Sequence, residues 1–230
     1  MSATGKRYNV AILVFNGVDI LDFAGPIEIF SHVSLNKNPD NPDRIYKCLT
    51  VGRSRTIRAA DSLTVATDLL IQDALLDLDQ FDMLVVPGGP PAVLAPLLTA
   101  DSLELELVTA FAKLEPKSLG SEPRTIFSIC VGAFFLGAAG ILGGLKVTTH
   151  HRALERLGQI CRGVGSEPAS IIEKRFVDGG LSKLGRVSVI TAGGISSGLD
   201  ASLYIVSRQV SKDMADFISR VMEYESRVEK

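Results

Sequence analysis

The sequence predicts an α/β sandwich built around a mostly parallel sheet. Three observations carry this expectation. Apolar runs of strand length alternate with segments of helical spacing. Several of the runs are apolar on both faces, as strands covered on both sides must be. The chain of 230 residues, 46% hydrophobic and 22% charged, has the length and composition to bury such a sheet in one domain spanning 1–230.

Taken in order, Asn9 to Phe15 is a continuous apolar run and reads as the first strand. Pro26 to Val33 follows with helical spacing after a Gly-Pro start. The segment Asn36 to Asp43 consists almost wholly of turn and breaker residues, and Tyr46 to Gly52 reads as the next strand. Leu63 to Asp68 alternates like a short exposed strand. Phe81 to Val86 is a buried-strand run ended by Pro87-Gly88-Gly89, and Ala100 to Lys113 then has helical spacing. Thr125 to Ile129 is a further apolar strand passing into a small-residue helix, Val131 to Gly140. Val187 to Ala192 is the last strand, ending at Gly193-Gly194, and Leu199 to Val210 and Met214 to Val228 read as closing helices.

Charge and cysteine content narrow the function classes. The 24 Lys+Arg against 26 Asp+Glu leave a net charge of −2, which gives no electrostatic footprint for nucleic acid. The apolar run near the start is too short for a signal segment or a membrane span. Cys48, Cys130 and Cys161 are far apart and odd in number, so neither a disulfide framework nor a cysteine metal pair is expected. A reducing, cytoplasmic setting follows as the default.

Ligands of open α/β sheets collect beyond the carboxyl ends of the strands. Three junctions there are conspicuous: Asp22 to Pro26, Pro87 to Pro91 and Cys130 to Gly132. Cys130 is the one cysteine at such a junction. A side chain on a sharp strand-to-helix turn is pushed out of the sheet, and Gly132 and Ala133 supply the small residues that a tight elbow needs. The helix that follows is expected to lower the thiol pKa below that of a free cysteine. Cys48, within a strand, and Cys161, after a helix, read as small buried hydrophobes. Asp22, flanked by Leu21 and Phe23, fits either a helix cap or a proton-transferring carboxylate with a raised pKa.

Four motifs in order, VFNGVDILDFAGPIEIF, FDMLVVPGGPPAVL, SICVGAFFLGAAGILGG followed by VTTHH, and TAGGISSGLDASL, resemble the ThiJ/PfpI superfamily, and within it the isocyanide hydratase branch. The resemblance runs from about Val10 to about Met222. It implies a flavodoxin-like three-layer fold of the class I glutamine amidotransferase type, a homodimer, Cys130 as nucleophile and Asp22 as its acidic partner. It further implies that the amides of Gly89 and Val131 face developing negative charge, with Gly88 beside them. A plain Pro-Gly turn is the other reading of that segment. Valine at 131 departs from the threonine usual in the branch and removes a hydroxyl from the site.

His150 and His151 stand where the branch has histidine then tryptophan. As neighbours on one element they make a poor metal site, and each reads as a structural or dimer-contact residue. Gly193 to Gly198 with Asp200 fits no phosphate loop and reads as close backbone packing, with Ile195 lining the pocket.

The function expected is hydration of a small-molecule isocyanide to an N-substituted formamide. Cys130 forms a thioimidate, and Asp22 activates or positions the water that resolves it, with no metal or organic cofactor. Two alternatives use the same thiol. One is glyoxalase-type carbonyl chemistry, for which Glu28 is the nearby glutamate. The other is a non-enzymatic redox or ligand sensor, since an exposed low-pKa thiol oxidises readily.

Overall fold

The computed structural model describes residues 6–118, 121–164, 167–183 and 186–227. In chain order the elements are β1 (Tyr8–Val14), α1 (Ile20–Ser31), β2 (Tyr46–Gly52), β3 (Thr56–Ala59), β4 (Leu63–Ala66), β5 (Leu69–Leu70), α2 (Ile71–Leu76), β6 (Met83–Val86), α3 (Pro91–Leu94), α4 (Leu103–Ala112), β7 (Arg124–Ser128), α5 (Ala133–Ala138), β8 (Lys146–Val147), α6 (Leu154–Val164), β9 (Ser170–Ile171), β10 (Phe176–Leu181), β11 (Val187–Ala192), α7 (Ser197–Gln209) and α8 (Lys212–Val221).

The main sheet has the strand order β10-β11-β7-β6-β1-β2-β5. All its pairings are parallel except β10 with β11. Helices α1, α7 and α8 pack together, as do α2, α4, α5 and α6. This gives the expected flavodoxin-like three-layer α/β sandwich. β6, β7 and β11 are buried along their whole length, as central strands covered on both faces are; β6 is apolar throughout, while β7 and β11 also bury Arg124, Thr125, Ser128, Ser188 and Thr191.

The sequence expectation differs from the structure in several places. The first helix begins at Ile20, so Pro26 lies in its interior and does not start it. Burial of Phe23, Ile29 and Phe30 outweighs the lost amide donor, and proline's usual preference for a first turn is overridden. Strands β3, β5, β8, β9 and β10 and helices α2, α3 and α6 have no counterpart in the sequence expectation. The closing helix ends at Val221, and Val228, the end expected for it, lies outside the described residues. Cys161 lies within α6, not beyond a helix.

Strands β11, β7, β6 and β1 are consecutive neighbours, so their carboxyl ends form one edge. Four segments meet there: residues 193–196 after β11, Cys130 after β7, Gly88 after β6, and Asp19 and Asp22 after β1. The closest approach is at Gly132, where an added β-carbon would lie 2.1 Å from the carbonyl oxygen of Val86. No rotamer relieves a clash between two main chains. Gly132→Ala is expected to destabilise the fold by more than about 3 kcal/mol, read from urea unfolding. Unfolding within about 1 kcal/mol of wild type would show that the β6–β7 edge can part to admit a methyl group.

Candidate active site

Cys130 is held with φ +56, in the left-handed region that a side chain occupies at a cost of about 1–2 kcal/mol. The backbone on both sides of it is fastened. Its N–H donates to the carbonyl of Gly193 at 2.8 Å, and its carbonyl accepts the Thr149 hydroxyl at 2.7 Å. One residue earlier the Ile129 N–H donates to Val86 at 3.0 Å. A single 3₁₀ turn, Cys130–Gly132, then leads into α5. The side chain is thereby turned out of the strand line but stays buried, with only 5% of the residue exposed.

The backbone amides of Val131 and Ile195 are directed toward the Cys130 sulfur and pull its thiol pKa down. Gly88 lies against this turn so closely that a β-carbon on it would come within 2.8 Å of the Val131 nitrogen. The Gly88 N–H is committed elsewhere, donating at 2.9 Å to Oδ2 of Asp22. Asp22 is fully buried, and its Oδ1 has no hydrogen-bond partner among the described residues. It is the third residue of α1 and not a cap.

Asp19 was not singled out by the sequence reading. It occupies the capping position of α1 but makes no side-chain cap bond. Its carboxylate, the Asp22 carboxylate and the Cys130 sulfur have ligand atoms within 4.8 Å of one another. The signal was present, since Asp19 and Asp22 are three apart in VDILD, a spacing that stacks two side chains on one helix face. Among the described residues these three form the group close enough to share a cation.

The electrostatics differ from the sequence expectation in one respect. Burial pushes Asp22 up to about 7, against the pull of the Gly88 amide. Burial also pushes the Cys130 thiol up to about 12, with the Asp22 carboxylate adding to the rise and the Ile195 and Val131 amides opposing it. The expected low-pKa thiol is therefore corrected. The helix after Cys130 is a 3₁₀ turn and six α-helical residues, and its partial charge does not offset desolvation beside a carboxylate. Asp19 is also raised by burial, with His150 opposing the rise.

A cleft of about 600 Å³ adjoins this centre, lined by Thr149, His150, His151, Arg175, Gly193 and Ile195 among others. Ile195 is among its lining residues. The two histidine rings do not diverge as expected. They lie tilted against each other with centroids 4.3 Å apart and planes 31° apart, and His150 Nδ1 accepts the Arg152 N–H at 3.2 Å. Glu28 is bound to His32 on an exposed face of α1. Cys48 lies in β2, its thiol pushed up by burial to about 12.

The profile of the DJ-1/PfpI family matches residues 8–207. The chain is similar to the isonitrile hydratase of Pseudomonas putida, at 27% identity over 94% of this chain and 78% of that protein. It is also similar to a Streptomyces lividans protein described as an uncharacterised protein in the cpoL 5' region, at 30% identity over 69% of this chain and 98% of that one. Among solved structures, a ThiJ/PfpI family protein from Pseudomonas syringae superposes with TM-score 0.74 at 22% identity, covering 100% of this chain and 84% of that one. Schizosaccharomyces pombe DJ-1 gives 0.69 at 18%, covering 94% and 100%. No helix among the described residues is long and apolar enough to cross a membrane.

The raised pKa of Asp22 has a sign that can be measured. Its folded value, about 7, lies above the ordinary aspartate value of 3.8. Asp22 is therefore neutral on both sides of unfolding at low pH, and it opposes folding increasingly as the pH climbs to its folded value. Asp22→Asn keeps an acceptor for the Gly88 amide and cannot ionise. Relative to wild type, the variant should gain roughly 2–3 kcal/mol between about pH 5 and about pH 8, read from urea unfolding at the two pH values. A difference that does not change with pH would mean that Asp22 titrates normally.

Proposed function

The chain belongs to the DJ-1/PfpI family, and on that footing we propose that it is a cysteine-dependent hydratase converting an isocyanide to an N-substituted formamide. The observation that carries the reading is the pairing of a buried, protonated thiol with a buried carboxyl whose pKa is near neutrality. An isocyanide uses both groups. Its terminal carbon has to gain a proton and a nucleophile together in the first step, and the carboxyl and the thiol supply them at the site.

In the first half-reaction the neutral Asp22 gives its proton to the terminal carbon of R–N≡C as the Cys130 sulfur bonds to that carbon. The thiol proton passes to Asp22. The C–N triple bond becomes double, and the product is the thioimidate R–N=CH–S–Cys. In the second, water adds to the same carbon while the nitrogen takes a proton from Asp22, which recovers one from the water. The carbon–sulfur bond then breaks, the sulfur takes back a proton, and R–NH–CHO leaves. The sum is addition of one water. Val131 and Ile195 N–H groups face sulfur through both halves, and the lost threonine hydroxyl is not needed for any proton in this sequence.

The alternatives draw less support. A redox sensor needs an accessible thiolate, and Cys130 is neither exposed nor easily ionised. Glu28, the glutamate considered for aldehyde chemistry, pairs with His32 away from the thiol.

Incubation with a panel of isocyanides, followed by mass spectrometry of formamide, tests the proposal. Cys130→Ser should abolish turnover and Asp22→Asn should lower it by roughly 10² to 10⁴. Because the carboxyl acts in its protonated form, wild-type kcat/KM should fall as the pH rises above about 7. Turnover that survives Cys130→Ser, or conversion of dicarbonyls with none of isocyanides, would overturn it.

A further inference from the structure

Asp200 is a second fully buried carboxylate, on the first turn of α7, and the reaction proposed above gives it no role. It is densely bound. Arg175 donates to Oδ2 through Nε at 2.7 Å and through Nη2. Its other oxygen accepts the Tyr224 hydroxyl at 3.1 Å and the Arg227 N–H at 2.8 Å. A buried carboxylate satisfied at both oxygens from two separate segments is costly to assemble and disruptive to break.

What it fastens is the segment 193–196. Beyond Asp200, the Arg175 guanidinium reaches the carbonyl of Ser196 at 3.0 Å and its hydroxyl at 3.4 Å. The main-chain carbonyl of the same arginine accepts the Gly193 N–H at 2.8 Å, and the Gly193 carbonyl accepts the Cys130 N–H at 2.8 Å. Arg175 therefore grips both ends of Gly193-Gly194-Ile195-Ser196. Ile195, between the grips, is the residue whose amide meets the Cys130 sulfur. Its side chain is 41% exposed in the cleft, so packing on that side does little to hold it.

We propose that Asp200 and Arg175 are positioning residues that hold the Ile195 amide on the Cys130 sulfur, and that the 224–227 segment, by closing over Asp200, sets how firmly they do so. Loss of the strap frees Arg175 from its fixed fork, the 193–196 segment loosens, and sulfur loses one of its two amide donors. The thiolate is then less well stabilised and the thiol less reactive. The inference rests on Cys130 being the reactive group, and not on which electrophile it meets.

The test uses the full chain carrying Cys48→Ser and Cys161→Ser, and measures the rate of iodoacetamide alkylation of Cys130 under native conditions at about pH 9. Asp200→Asn should slow alkylation about five- to tenfold, the effect of weakening one amide contact to sulfur by about the worth of an ordinary hydrogen bond. The direction discriminates. Removing a negative charge acts the other way by Coulomb's law alone, and a loosened fold would expose the thiol and speed its reaction. Tyr224→Phe, which deletes one hydroxyl and changes no charge, should give a smaller slowing, about two- to threefold, and keeps the test open if Asp200→Asn does not fold. An unchanged or faster rate in either variant would overturn the proposal. No isocyanide enters the assay, so absence of formamide turnover would count against the hydratase reading and leave this one standing.

Discussion

The left-handed backbone at Cys130 is the constraint on which the site depends. A strand that ran straight on would leave this side chain within the sheet's own layer. Turning at φ +56 costs about 1–2 kcal/mol for a non-glycine residue, and neighbours on three sides impose it. Gly193 takes the Cys130 amide, Thr149 holds its carbonyl, and the chain at Gly132 passes so close to Val86 that no side chain fits. Each of these contacts comes from a different strand end or the loop beyond it. The turn therefore exists only when β6, β7 and β11 are already side by side, which ties the placement of Cys130 to the completed sheet.

Much of this was legible in the sequence, for physical reasons. Strands covered on both faces are rich in apolar residues, so Phe81 to Val86 and Thr125 to Ile129 stand out, and Gly132 and Ala133 after Cys130 mark the elbow. Elements half open to solvent carried a weaker signal. β10, Phe176–Leu181, holds two glycines and an aspartate because it is the antiparallel edge strand, and its composition resembles a turn. Pro26 misled because a proline after glycine most often starts a helix, whereas here the apolar face of α1 sets where the helix begins. Asp19 was overlooked because its role depends on what the turn at Cys130 brings near it. Single residue types do not encode that proximity. The thiol pKa departs from expectation for a related reason, since a helix end is visible in sequence while the depth of burial and a carboxylate brought in by α1 are not.

A buried thiol near 12 beside a carboxyl near 7 suits a particular kind of chemistry. A thiolate formed in advance attacks any accessible electrophile and is open to oxidation. With the proton kept on sulfur until substrate arrives, attack is tied to a simultaneous proton transfer, and substrates that need no proton gain nothing from the site. The near-neutral carboxyl can give a proton and take one back in the same turnover, because neither form is strongly favoured at physiological pH. Desolvation is what sets both values. Under the proposed reaction, the burial that makes Asp22 costly to ionise in the folded protein is thus the same feature that would fit it to pass protons between sulfur, carbon and water, and opening the site to solvent would relieve the cost and remove the fit together.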